Sequence, residues 1–86
     1  MSAHDFDAKV SVSLYRDEAI VLYWYLSREI LKHAETRLKP TYENPAESHG
    51  VNALFQEFIK HLMDTGGPDA DSIHAAAVEH LMKRFE

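Results

Sequence analysis

The chain has 86 residues, of which 45% are hydrophobic and 27% charged, and 14 acidic against nine basic side chains give a net charge of −5. This composition is typical of one small globular domain, here residues 1–86, and excludes an intrinsically disordered chain. The sequence contains no cysteine, which excludes disulfides, thiolate metal sites and cysteine nucleophiles.

Charge and hydropathy also bear on partners and location. An acidic surface favours basic partners and repels phosphate backbones, so nucleic acid is a disfavoured partner. The start, MSAHDFDAKV, is too polar for a secretory signal, and we expect residues 1–7 to be disordered. The longest apolar run, AIVLYWYL at 19–26, is far shorter than the roughly 18 residues of a membrane-spanning helix. We therefore expect a cytoplasmic protein with no membrane partner.

Residues 9–14 (KVSVSL) alternate strictly between polar and apolar side chains. This period of two predicts a half-buried β-strand. Nothing else in the sequence resembles a strand, and an isolated strand leaves its backbone hydrogen bonds unmade. The segment is therefore either an extended arm lying on helices or a strand that pairs with its copy in a second subunit.

The next segment predicts a long first helix, over about 16–36. Asp17 and Glu18 in its first turn and Lys32 near its end suit the helix dipole, whereas Tyr15 is a poor N-cap. On a helical wheel the apolar residues of this helix span an arc of roughly 200°. We expect this helix to contact two neighbours and to be the central helix of a bundle.

Two further helices are predicted, over about 45–64 and 70–86. Asn44 is a candidate N-cap, Pro45 suits the first helical position and Glu47 completes a capping box. The second helix has one apolar face, and so does the third, where His74 should be half-buried. The predicted fold is thus mostly α, a three-helix bundle with an N-terminal extended segment at 9–14.

Two apolar side chains of the first helix, Val21 and Tyr25, fall in its charged sector, one turn apart. In one interpretation the 38–48 loop or the N-terminal arm covers them. In the other they are an exposed apolar anchor inside a charged rim, as in an interface hot spot. On that interpretation Val21, Tyr25, Arg28 and Lys32 are the predicted partner-binding residues.

Two glutamate–histidine pairs raise an alternative, a metal site. Glu29 with His33, and Glu57 with His61, are each spaced four residues apart on a helix face, and carboxylate plus imidazole suits zinc or iron. Ordinary surface pairs have the same spacing, and no HExxH motif is present. We expect no metal and no cofactor, and keep these four residues as the alternative.

Catalysis has little support in the sequence. No serine lies in a GxSxG elbow, and the glycines at 66–67 are followed by proline and predict a helix stop rather than a phosphate loop. Three helices of this length also leave little volume for a substrate cavity. We expect that the protein is not an enzyme.

A strand running into a helix, KVSVSLYRDEA, is similar to the start of ribbon-helix-helix repressors. In that family paired strands enter the DNA major groove, and the resemblance implies that Lys9, Ser11 and Ser13 would face DNA. The third helix, the long loop and the negative charge argue against this function. It stays an alternative.

Residues 14–26 (LYRDEAIVLYWYL) and 44–62 (NPAESHGVNALFQEFIKHL) resemble a group of small uncharacterised bacterial proteins. The group shares a leucine, Asp-Glu-Ala, an aliphatic pair, an aromatic residue and a leucine, then a helix start of Asp or Asn followed by Pro-Ala-Glu. This chain departs from the group at Tyr15 and Trp24, where the group has Ser or Thr and a polar residue. The matching residues are Leu14, Asp17, Glu18, Ala19, Val21, Leu22, Tyr25 and Leu26, and Asn44 to Glu47.

That group has no assigned activity, so the resemblance supports a helical fold and implies no functional site. From the residues we expect a non-enzymatic protein–protein interaction or accessory module. Its partner is another protein, for which the net charge favours a basic one, or a second copy of the chain in a homodimer.

Overall fold

The computed structural model describes residues 5–62 and 68–86, and within these ranges the chain forms three α-helices. They are α1 (Arg16–Ser27), α2 (Ala46–His61) and α3 (Ala70–Arg84). The prediction of a mostly α fold of three helices is confirmed. Residues 63–64 of the predicted second helix, and the start of the segment expected to be disordered, lie outside the described residues. In the described ranges, no helix has both the length and the apolar character needed to cross a bilayer.

The chain leaves α1 through a π-helical turn, Arg28–Lys32. Ala34 and Glu35 follow with φ angles of 49° and 62°, in the left-handed region. Two successive left-handed residues cannot continue a right-handed helix, so the helix ends at Lys32 and not at the predicted residue 36. A short 3₁₀ turn, Lys39–Thr41, then leads towards α2.

The start of α2 has the predicted capping arrangement. The Glu47 carboxylate accepts a hydrogen bond from the Asn44 N–H at 2.9 Å, and the Asn44 side-chain oxygen accepts one from the Ala46 N–H at 3.0 Å. At the start of α1, where tyrosine cannot cap well, Glu18 accepts a hydrogen bond from the Tyr15 N–H at 3.0 Å. In both helices a glutamate in the first turn accepts a hydrogen bond from a backbone N–H group that has no partner within the helix.

Helix α1 lies at the centre of the fold. It packs against both α2 and α3, whereas contacts between α2 and α3 are sparse in the described ranges. Tyr23 of α1 stacks on Phe55 of α2 with ring centroids 5.9 Å apart, and Trp24 stacks on His74 of α3 at 4.4 Å. The wide apolar arc of the first helix therefore serves two neighbours, as predicted. The buried apolar residues are Ile20, Leu26, Phe55, Phe58, Leu62 and Ala77.

Apolar side chains are exposed on α3 and in the segment that precedes α1. On α3 only Ala77 is fully buried, while Val78, Met82 and Phe85 of its predicted apolar face are exposed. Residues 9–14 adopt no strand, so the predicted strand is not confirmed, and Val10 is 87% exposed. We call residues 5–14 the N-terminal arm, because this segment precedes α1 without regular structure.

Candidate partner-binding groove

The N-terminal end of α1 is tied to α3 through a buried carboxylate. The side chain of Asp17 accepts hydrogen bonds from the Glu18 N–H at 2.7 Å and from Arg84, and it lies 2.7 Å from Nδ1 of His80. Burial alone would raise the pKa of Asp17, but the hydrogen bonds from His80, Glu18 and Arg84 outweigh it and hold the pKa below its usual value. The Arg84 guanidinium also lies over the Tyr15 ring, 4.3 Å from its centroid.

A His–Asp pair of this kind can serve as a base in catalysis, but here it joins two helices. The cleft around it, about 470 Å³, includes Ile20, Ala77, His80 and Arg84. Within the described part of the chain, no serine, threonine or lysine lines this cleft. The Asp17 oxygen that meets His80 also accepts a hydrogen bond from Arg84, so one carboxylate oxygen connects α1 to two side chains of α3.

At the other end of α1, Glu29 is buried and fixes the turn. Its carboxylate accepts hydrogen bonds from Arg37, with Nε at 2.9 Å, and from Nε of Arg28 at 3.2 Å. The hydrogen bond from Arg37 lowers the pKa of Glu29 most, burial opposes it and Arg28 adds to it, so that the pKa falls to about 2. Glu29 thus stays ionised and holds the Arg28 guanidinium in place.

The third carboxylate of this region, Glu35, connects the turn to α2. It accepts hydrogen bonds from Nδ2 of Asn52 and from Oγ of Ser48, both at 2.7 Å, and from the Tyr42 hydroxyl at 3.3 Å. The bonds from Asn52 and Ser48 are the main reasons why the pKa of Glu35 is lowered. These contacts explain why Glu35 holds a left-handed conformation that costs a side-chain-bearing residue free energy.

A groove of about 740 Å³ opens beside this turn, between the C-terminal half of α1 and the start of α3. All four predicted partner-binding residues line it. The groove is lined by Val21, Trp24, Tyr25, Ser27, Arg28, Leu31, Lys32 and His74. The structure therefore brings Val21, Tyr25, Arg28 and Lys32 together on one surface.

Val21 and Tyr25 differ in burial. Val21 is half-buried and packs against the core, whereas Tyr25 is 41% exposed. Leu31 is 69% exposed at the same groove. Trp24 stacks on His74. Its buried indole N–H finds no acceptor among the residues that the structure describes.

The edge of the groove is cationic. Arg28 lies over the Tyr25 ring, 5.3 Å from its centroid, and Lys32 also lines the groove. No aspartate or glutamate lines it in the described ranges. The protein, which is acidic as a whole, thus has a groove with an apolar floor and a positive edge.

Sequence reasoning missed half of the groove. It did not include Trp24 among the partner-binding residues and placed His74 on the apolar face of another helix, without joining them. The stacking of these two rings depends on how α1 and α3 pack against each other. The helical wheel of a single helix does not show this packing. The missed lining residues are Trp24, Ser27, Leu31 and His74.

The alternative metal site is not formed. Across residues 5–62 and 68–86, no group of three or more histidine, aspartate or glutamate side chains could hold a metal ion. The Glu29 carboxylate is occupied by arginines, and Glu57 pairs with Lys60 at 2.8 Å. The shared spacing of Glu29 with His33, and of Glu57 with His61, therefore does not bring the two pairs together.

Comparison with known protein families, curated proteins and solved structures finds no match to this chain. The resemblance to small bacterial proteins stays a prediction.

Proposed function

We propose that this protein is a non-enzymatic protein–protein interaction module that binds a segment of its partner in the groove between α1 and α3. The observation that carries the proposal is the groove itself, which joins an exposed Tyr25, an exposed Leu31 and the Arg28 guanidinium. Tyrosine, tryptophan and arginine dominate interface hot spots, where an apolar centre is surrounded by a polar rim.

The groove is pre-organised for binding. Arg28 is held from two sides, by the Glu29 carboxylate and by the Tyr25 ring. Trp24 is fixed by its stacking on His74. Side chains that are already ordered lose little conformational entropy on binding, which favours affinity.

The charge of the groove selects the chemistry of the bound segment. Net charge alone favours a basic partner, but the groove edge carries Arg28 and Lys32. A segment with an aromatic or aliphatic anchor flanked by acidic side chains would place the anchor on the apolar floor and its carboxylates at this edge. The volume of about 740 Å³ suffices for such a segment.

Site-specific photo-crosslinking tests the proposal. A benzophenone amino acid placed at Leu31, in the groove, should give a discrete protein adduct in the source cells, and the adduct should disappear when Tyr25→Asp is added. The same probe at Gln56, an exposed position on α2, is the control. Equal adducts from both positions, or none from Leu31, would contradict a binding role for the groove.

A further inference from the structure

We propose that the segment bound in the groove is the N-terminal arm of a second copy of this chain, so that two chains form a dimer by exchanging arms. This inference rests on the proposed function, because it names the occupant of the same groove. The binding site would then be complete only in the dimer, with Phe6 of the partner subunit on its apolar floor.

The start of the arm is complementary to the groove in hydropathy and charge. Phe6 is 91% exposed and lies between two aspartates in the sequence Asp5-Phe6-Asp7. The groove offers an apolar floor next to Arg28 and Lys32. An aromatic anchor between two carboxylates matches an apolar pocket with a cationic edge in both hydropathy and charge.

The rest of the arm also presents apolar surface. Val10 is 87% exposed, Val12 is 76% exposed and Leu14 is 46% exposed. These are the side chains whose alternation predicted a half-buried strand. Burial against a second chain would account for both the sequence pattern and the exposure seen in a single chain.

The direction of the arm favours a second chain over its own groove. The arm joins α1 at its N-terminal end, whereas the groove lies beside the C-terminal half of α1. None of the arm residues lines the groove of its own chain in the described ranges.

A two-fold axis makes the exchange reciprocal. If two copies meet across the exposed sector of α1 about a two-fold axis perpendicular to that helix, their α1 helices run antiparallel, and the arm of each chain starts beside the groove of the other. About eight residues separate Phe6 from Leu14, which reach about 28 Å when extended. The groove residues span about 16 Å along the helix and the turn that follows it, which an extended arm of this length covers.

The first test measures mass against concentration for the full chain, by analytical ultracentrifugation. A dimer should dissociate on dilution, and the fluorescence of Trp24, the single tryptophan, should change with the same midpoint. Phe6→Ser should weaken association by about tenfold or more. Phe85→Ser, the same substitution at another exposed phenylalanine, should leave association unchanged.

A charge exchange provides the decisive second test. Chains with Asp5→Lys and Asp7→Lys, and chains with Arg28→Glu and Lys32→Glu, should each be monomeric, because like charges would meet in each homodimer. Mixed together they should form a heterodimer, since the reversed arm then meets the reversed groove and the unchanged arm meets the unchanged groove. Glu43→Lys with Glu86→Lys gives the first variant's charge change away from arm and groove, and should still dimerise.

The outcomes separate this inference from the proposed function. A wild-type chain that is monomeric at all concentrations, or variants that fail to associate when mixed although circular dichroism shows them folded, overturns arm exchange. If the groove still crosslinks to a different protein in cells, the interaction function stands and only the identity of the occupant is wrong. If neither association nor crosslinking is found, both proposals fail.

Discussion

At the N-terminal end of α1, the buried Asp17 carboxylate pairs with His80 and Arg84 within the fold. At the C-terminal end, Arg28 and Lys32 line an open groove, although Glu29 is buried just beside them. The N-terminal end joins α1 to α3, and no lysine lines the cleft around Asp17 in the described part of the chain. The second end has an exposed aromatic ring and positive charge on its surface.

On the proposed function, one helix serves both folding and binding. Buried charges need partners inside the protein, and at both ends a carboxylate finds arginine. At the C-terminal end the turn leaves Tyr25 and Leu31 exposed beside Arg28 and Lys32. We expect the N-terminal end to be essential for stability and the groove end not to be.

The largest effect on stability should come from truncating a buried apolar side chain at the N-terminal end, and the matching truncation at the groove should have little effect. Ile20, at the N-terminal end, is 4% exposed, whereas Leu31, at the groove, is 69% exposed. Ile20→Ala should lower the free energy of unfolding by about 2–5 kcal/mol, because it leaves a cavity in the core. Leu31→Ala should change it by about 0.5 kcal/mol or less. Urea unfolding followed by circular dichroism measures both, and equal losses would remove the distinction.

Acid should destabilise both ends through their buried carboxylates. The folded state lowers the pKa of Glu29 from 4.5 to about 2 and lowers that of Asp17 below 3.8. The unfolded chain therefore binds protons first, and the stability gained from ionised Glu29 is present above pH 4.5 and lost as pH falls towards 2. Urea unfolding at a series of pH values measures this loss.

Neutral variants provide the control for the acid effect. Glu29→Gln and Asp17→Asn should each be less stable than wild type at neutral pH, and their stability should fall less between pH 4.5 and 2. Glu43→Gln removes an exposed carboxylate outside both clusters and should keep the wild-type slope. An unchanged slope in the Glu29 and Asp17 variants would show that other groups cause the acid loss.

A smaller effect is expected in the turn behind the groove, where Ala34 has a φ of 49°. Glycine adopts this conformation without the steric cost of a Cβ atom, so Ala34→Gly should raise the free energy of unfolding by about 0.5–1 kcal/mol. Ala53→Gly, at an exposed position inside α2, should instead lower it by about 1 kcal/mol. Urea unfolding separates the two, and a loss in both would argue against strain at Ala34.

The fold was largely predictable because its signals are local. Asn44 and Glu47 make the cap that their spacing indicates, and the wide apolar arc of α1 does face two helices. The end of the first helix was not predictable in the same way. Glu35 leaves the helix for hydrogen bonds with Asn52 and Ser48, which are distant in sequence.

The candidate site was predictable only where one helix supplies it. Val21, Tyr25, Arg28 and Lys32 share a sector of the predicted first helix, so their spacing placed them together. His74 joins them from α3, and only tertiary packing decides that. The KVSVSL alternation predicted a strand, but a strand needs a pairing partner that a single copy of this chain does not provide.

The smallest effect on stability, and the clearest test of the comparison, should come from Tyr25→Asp. Tyr25 is 41% exposed and contacts Arg28 through its ring, so the substitution exchanges a cation–π contact for an ion pair on the surface. We expect the free energy of unfolding to change by about 0.5 kcal/mol or less. Circular dichroism and urea unfolding measure this, with Phe55→Ala, at the buried ring below Tyr23, as the destabilising reference. A stable, folded variant that loses association in ultracentrifugation would show that the groove end of α1 serves binding, whereas unfolding would place Tyr25 in the core.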